Sequence, residues 1–182
     1  MIFGLTGSMG CGKGEIVKLL QAKGFDYVTL SSMVRTEAKQ RGIEETRENL
    51  MMVGNGMRKI GGAGILAKKA LQMIKDSANQ NWVVDGIRNP VEILELRKQK
   101  DTLIVAIEVD KNLLVKRILS RARANDPVSK EEVLKKIDRE LGLNEPEDGQ
   151  QVAKCIKMAD IVVSNNGTLE EFKNSFLRSV KV

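Results

Sequence analysis

Short apolar runs alternate with longer stretches of helical spacing along the whole chain. Runs of strand character fall at about 1–6, 26–30, 81–85, 102–108 and 160–164. Between them, apolar residues recur three and four positions apart, which predicts helices at about 13–23, 31–41, 46–60, 63–78, 90–99, 111–122, 129–142, 148–158 and 168–180. Strands alternating with helical patterns specify a parallel sheet covered by helices. The expected architecture is therefore α/β with three layers, a five-stranded parallel sheet between helices, in one domain over residues 1–182. Two helix starts are marked by capping boxes, Ser129-Lys130-Glu131-Glu132 and Thr168-Leu169-Glu170-Glu171.

Two segments exceed a minimal alternating fold. The helical region 31–78, between the second and third strands, is long enough to cover a second ligand. The polar segment 121–130 lacks strong periodicity and lies between helices, as a mobile lid would.

Composition narrows the function classes. With 182 residues, 42% hydrophobic and 30% charged, the chain has the balance of a soluble globular protein. No apolar run approaches the roughly 18 residues needed to span a membrane. The first six residues fit a strand better than a signal peptide, and two cysteines give neither a disulfide framework nor a metal pair. The plain reading is a cytoplasmic protein. Thirty Lys and Arg against 24 Asp and Glu give a net charge of +6. These charges are scattered along helices beside acids, with aromatics at only 3%, so a polyphosphate small molecule explains the excess better than nucleic acid. The absence of His removes the commonest acid–base group and zinc ligand.

The segment Gly7-Ser8-Met9-Gly10-Cys11-Gly12-Lys13 lies between the first strand and the first helix, the context a phosphate-binding loop requires. Consecutive backbone N–H groups and the helix N-terminus surround an anion, glycines allow the close approach, and Lys13 brings a mobile positive charge to the phosphates. The bound species implied is ATP with Mg²⁺. The general pattern has Ser or Thr after the lysine; here Gly14 and then Glu15 follow. Gly-Lys-Gly at the loop's end resembles adenylate kinases, in which the metal depends less on a loop hydroxyl. Glu15 stands where those kinases carry Thr; it reads either as a helix-start acid facing solvent or as part of the donor site.

Trp82-Val83-Val84-Asp85-Gly86-Ile87-Arg88 reads as a buried strand ending in an acid. At the carboxyl end of a parallel strand, Asp85 suits a Mg²⁺ ligand acting through water. The segment is similar to the Asp-Gly-Phe-Pro-Arg of adenylate kinases, one residue shorter, which implies that Arg88 contacts an acceptor phosphate. Leu30-Ser31-Ser32-Met33-Val34-Arg35 resembles the acceptor-binding segment of the same family, implying acceptor roles for Ser32 and Arg35. Arg47 and Arg58, on the next helix, are weaker candidates of the same kind. A guanidinium fork matches phosphate oxygens.

Arg117 and Arg121 share a helix face, and Arg123 follows in the lid-like segment. Arg121 and Arg123 are the candidates for neutralising charge on the transferring group, with Arg117 structural. Ser164-Asn165-Asn166-Gly167 resembles the carboxy-terminal segment of dephospho-CoA kinases, which implies that Asn165 and Gly167 line the adenine site. Plain turn chemistry accounts for the same residues.

Taken whole, the chain resembles adenylate-kinase-related P-loop nucleotide kinases. That implies phosphoryl transfer from ATP to a small nucleotide, foremost a nucleoside monophosphate. A dephospho-CoA kinase is the alternative, although Leu30-Ser31-Ser32 lacks the acids that family carries after its second strand. A nucleotide-binding regulator with weak kinase activity is the third reading.

Overall fold

The computed structural model describes residues 1–121 and 127–181, apart from the side chain of Arg47. Five strands are described, β1 (Ile2–Thr6), β2 (Asp26–Thr29), β3 (Trp82–Ile87), β4 (Thr102–Glu108) and β5 (Ile161–Ser164). All pair in parallel, in the order β2-β3-β1-β4-β5. The described helices are α1 (Lys13–Gln21), α2 (Leu30–Gln40), α3 (Arg47–Gly61), α4 (Ile65–Lys75), α5 (Pro90–Leu96), α6 (Lys111–Arg121), α7 (Lys130–Leu141), α8 (Val152–Met158) and α9 (Leu169–Val180).

β1 runs down the middle of the sheet with all five residues buried. Alternation sends Phe3, Leu5, Val83, Val105 and Ile107 to one face, where they meet α1, α6, α7 and α9 through Ile16, Leu20, Leu114, Ile118, Ile137, Phe172 and Phe176. Ile2, Val28, Val84 and Ile104 go to the other face and meet α2, α3, α4, α5 and α8. Burying both faces is why the strands read as apolar runs.

The helix starts have local causes. Thr29 Oγ1 accepts the Ser32 N–H at 2.9 Å and opens α2 directly from β2. Thr168 and Glu171 complete the expected capping box. Ser129 accepts the Glu132 N–H at 3.2 Å, but the Glu132 carboxylate takes the N–H of Val128 rather than that of Ser129. The expected box there is half made.

Several ends differ from expectation. α4 stops at Lys75 and α5 at Leu96. α8 begins only at Val152, because residues 143–151 are drawn into a loop against β3. Gln151 N–H donates to Arg88 O at 2.6 Å, and Asn89 Nδ2 donates to Glu147 O and Gly149 O at 2.8 and 2.9 Å. β3 runs two residues past Asp85, with a register shift opposite Leu5 and Thr6.

Candidate functional site

The phosphate loop leaves β1 at Thr6, whose hydroxyl donates to Ile87 O at 3.0 Å and ties its root to β3. Gly7, Gly10 and Gly12 have φ of 132°, 79° and 107°, a region open to glycine and strained for other residues. Gly12 is the N-cap of α1 with no side-chain cap; the Glu15 N–H turns back to Gly12 O at 3.0 Å, and the helix N-terminus faces the loop as an anion site requires. Lys13 Nζ donates to Gly7 O at 2.6 Å and Ser8 O at 3.1 Å, which folds the ammonium over the loop it begins from.

Residues far away in sequence hold this loop. Asn165, buried at the end of β5, donates from Nδ2 to Cys11 O at 2.8 Å. Arg117 Nη1 donates to Asn165 O at 2.9 Å. The Asn165 amide therefore grips the loop, and Arg117 grips Asn165. Gly167 lies exposed in the same β5–α9 connection. Glu140, 7% exposed on α7, accepts the Met9 N–H at 2.7 Å. Nothing in the local pattern around Glu140 signals this contact, since it reads as one more acid on an amphipathic helix.

Glu15 turns along α1 towards α9. Its carboxylate meets Lys18 at 2.9 Å and Lys173 at 3.8 Å, and the Lys18 hydrogen bond leads in holding it below the usual carboxylate range.

Asp85 stands in β3 opposite Leu5 and Thr29, on the sheet face that α1 covers. Gly86 N–H donates to its Oδ1 at 2.6 Å, and Tyr27 hydroxyl donates to Oδ2 at 3.5 Å. Burial, helped by the Asp85 charge, pushes the Tyr27 hydroxyl up to about 12, so it stays a donor. Tyr27 is a contact to the site that sequence reading passed over.

The acceptor-side arginines divide. Arg35 Nη1 donates to Glu45 at 2.8 Å on the surface, and the Ser32 hydroxyl is spent on Thr29 O at 2.6 Å. Arg58 through its guanidinium and Arg88 through its backbone N–H instead meet at Glu92, which is not among the expected site residues. Glu92 accepts the Arg88 N–H at 2.8 Å and faces Arg58 Nη2 at 4.0 Å. Arg121 ends α6. Arg123 and positions 122–126 of the expected lid lie outside the described residues, as does the side chain of Arg47.

A central β1 feeding a glycine loop and α1, in a parallel sheet of this order, defines a protein of the P-loop kinase fold. A family model described as an AAA domain matches residues 6–135. The chain is 30% identical to a UPF0200 protein of Pyrococcus horikoshii over 185 residues, covering 99% of this chain and 96% of that one. The chain belongs to this AAA-domain family and to the UPF0200 proteins. Among solved structures, the shikimate kinase of Bacteroides thetaiotaomicron superposes with a TM-score of 0.63 at 12% identity, covering 100% of this chain and 99% of that one. The dephospho-CoA kinase of Campylobacter jejuni does so at 0.55 and 16%, covering 99% and 95%. At such identities the likeness is one of fold.

Proposed function

We propose that the chain is an ATP-dependent phosphotransferase acting on a small nucleotide, most of all a nucleoside monophosphate. One observation carries this reading. The phosphate loop with Lys13 follows β1, and Asp85 and Arg88 lie at the end of the adjacent β3, at the carboxyl ends where parallel sheets bind ligands; Glu92 ties Arg58 of α3 to the same connection.

In this reading the phosphate-loop amides not committed to Glu140, Ser8 O or Gly12 O bind the donor phosphates together with Lys13. Arg58 and Arg88 serve the acceptor, and Arg121 and Arg123 neutralise charge on the group in transit. An acceptor phosphate oxygen attacks the γ-phosphorus as the bond to the β,γ-bridging oxygen breaks, leaving ADP. The attacking group is already an anion, so no general base is required, which suits a chain without His. Catalysis then rests on positioning and charge neutralisation.

Asp85 fits an outer-sphere Mg²⁺ ligand. Its Oδ1 is fixed by the Gly86 amide, while Oδ2 accepts the long Tyr27 contact at 3.5 Å and keeps lone pairs for metal-bound water. When bound, Mg²⁺ supplies neutralisation of the β- and γ-phosphate charge.

The test is a transfer assay with Mg-ATP and a panel of NMPs, dNMPs, dephospho-CoA and shikimate. Phosphorylation of a monophosphate is the expected result. Transfer to dephospho-CoA or shikimate alone would exclude the NMP reading, and ATP binding without transfer would exclude a kinase.

A further inference from the structure

Glu92 is 1% exposed although it lies in the first turn of a surface helix. Its Oε2 accepts the Asn89 N–H at 3.1 Å, the ordinary return half of a capping box. The same oxygen takes the Arg88 N–H at 2.8 Å, and Oε1 faces Arg58 Nη2 at 4.0 Å. Neither of those contacts is needed to start a helix. A capping glutamine would serve equally well and would avoid burying a charge.

Arg58 comes from a different part of the fold. It stands in the last turn of α3, with its side chain 22% exposed. Its Nε is buried without a hydrogen-bond partner among the described residues. At 4.0 Å the contact with Glu92 is electrostatic and too long for a hydrogen bond, so it fixes the guanidinium without consuming its donors. Packing alone would not select a residue so poorly satisfied. Arg88 is exposed, and its Nη1 reaches Gln150 at 3.5 Å. One carboxylate therefore holds two arginines, one through its backbone and one through its charge. Only the Arg58 guanidinium faces Glu92, while that of Arg88 is left exposed beside Gln150, so the two arginines and one carboxylate carry a net positive charge, which an anion completes and a neutral hydroxyl compound does not.

Resting on the kinase reading above, we propose that Glu92 is a positioning residue that sets Arg58 and Arg88 around the phosphate monoester of the acceptor. The two arginines contact the anion; Glu92 acts only through them.

Glu92→Gln separates this role from helix capping. It keeps an oxygen for the Arg88 and Asn89 amides and removes the charge that Arg58 faces. The probes are AMP, CMP, UMP and GMP, titrated calorimetrically with a non-hydrolysable ATP analogue present. The Arg58 Nε–H resonance is followed in parallel. Wild-type protein is expected to bind at least one monophosphate, with a shift of that resonance. Glu92→Gln is expected to weaken that binding roughly tenfold to a hundredfold, the range of a charge-assisted contact. Its melting temperature should not fall, affinity for the ATP analogue should hold within about twofold, and the Arg58 shift should vanish. Arg58→Lys, which leaves the cap untouched, should weaken the same binding.

Unchanged monophosphate affinity in Glu92→Gln overturns the proposal, as does equal weakening of both ligands. So does a wild type that binds none of the four probes. If monophosphate binds and Glu92→Gln weakens it, but no phosphoryl group is transferred from Mg-ATP, the positioning role stands and the kinase reading fails.

Discussion

The Glu140 carboxylate on α7 accepts the Met9 N–H of the phosphate loop at 2.7 Å, joining positions 131 residues apart. A buried carboxylate requires such a partner, and a loop amide gains orientation from it. Glu140→Ala removes a hydrogen bond to a charged group and should cost about 1.5–3 kcal/mol of stability in urea unfolding. Glu140→Gln keeps an acceptor and should cost less. Both should raise the ATP dissociation constant, the alanine variant more. A stability loss below about 0.5 kcal/mol in the alanine variant would mean that the contact is not made in solution.

Gly12 and Asn165 form a second clasp. Gly12 has φ of 107°, and a Cβ there would collide with Asn165 Nδ2, the group that donates to Cys11 O. Gly12→Ala should therefore lose about 1–3 kcal/mol and abolish ATP binding. In the double variant with Asn165→Ala, part of the collision is gone. Thermal unfolding of the two singles and the double should show coupling of about 0.5–3 kcal/mol, whereas simple additivity would place the side chains apart.

These contacts mark where the sequence is legible and where it is not. The five strands and the order of helices follow from periodicity, because each element must bury a face of its own. The loop Gly7–Lys13 is equally plain, since its chemistry is local and fixed by glycine spacing. The clasps are not local. Glu140, Glu92 and Arg117 look like ordinary helix charges until the fold brings Met9, Arg58 and Asn165 against them. Asn165 shows the converse: as part of a turn it suggests a ligand contact, yet its amide is spent on the loop backbone. The late start of α8 has the same origin, for the helical pattern before Val152 yields to hydrogen bonds donated by the Asn89 amide and accepted by the Arg88 carbonyl.

Lys13 and Asp85 should separate donor binding from turnover. Lys13→Met removes the ammonium that spans the loop and should abolish measurable ATP binding in calorimetry. Asp85→Asn keeps the Gly86 hydrogen bond but loses the charge for metal-bound water. It should bind ATP nearly as wild type and lower kcat by about a hundredfold or more. If Asp85→Asn abolishes ATP binding as fully as Lys13→Met does, Asp85 is part of the donor pocket itself.

Glu92 should leave a signature in the pH dependence of stability. Burial dominates and raises its pKa above the ordinary glutamate value of 4.5, against the lowering effect of the Arg88 and Asn89 amides and of Arg58. The folded chain therefore keeps a proton on Glu92 in a window beginning at 4.5, where the unfolded chain has released it. The folded state binds more protons there, so this group's contribution falls as pH rises through the window and levels off above the folded pKa. Arg58 faces the carboxylate from α3, Arg88 from the β3–α5 connection and Cys155 from α8, where burial and Glu92 together push the thiol up to about 12. Glu92→Gln removes the titration, so the difference in unfolding free energy between the two proteins isolates it from every other group. Urea denaturation between about pH 4.5 and 8 should show the variant gaining on wild type as pH rises. A flat difference would place the Glu92 pKa at its ordinary value and its carboxylate in water.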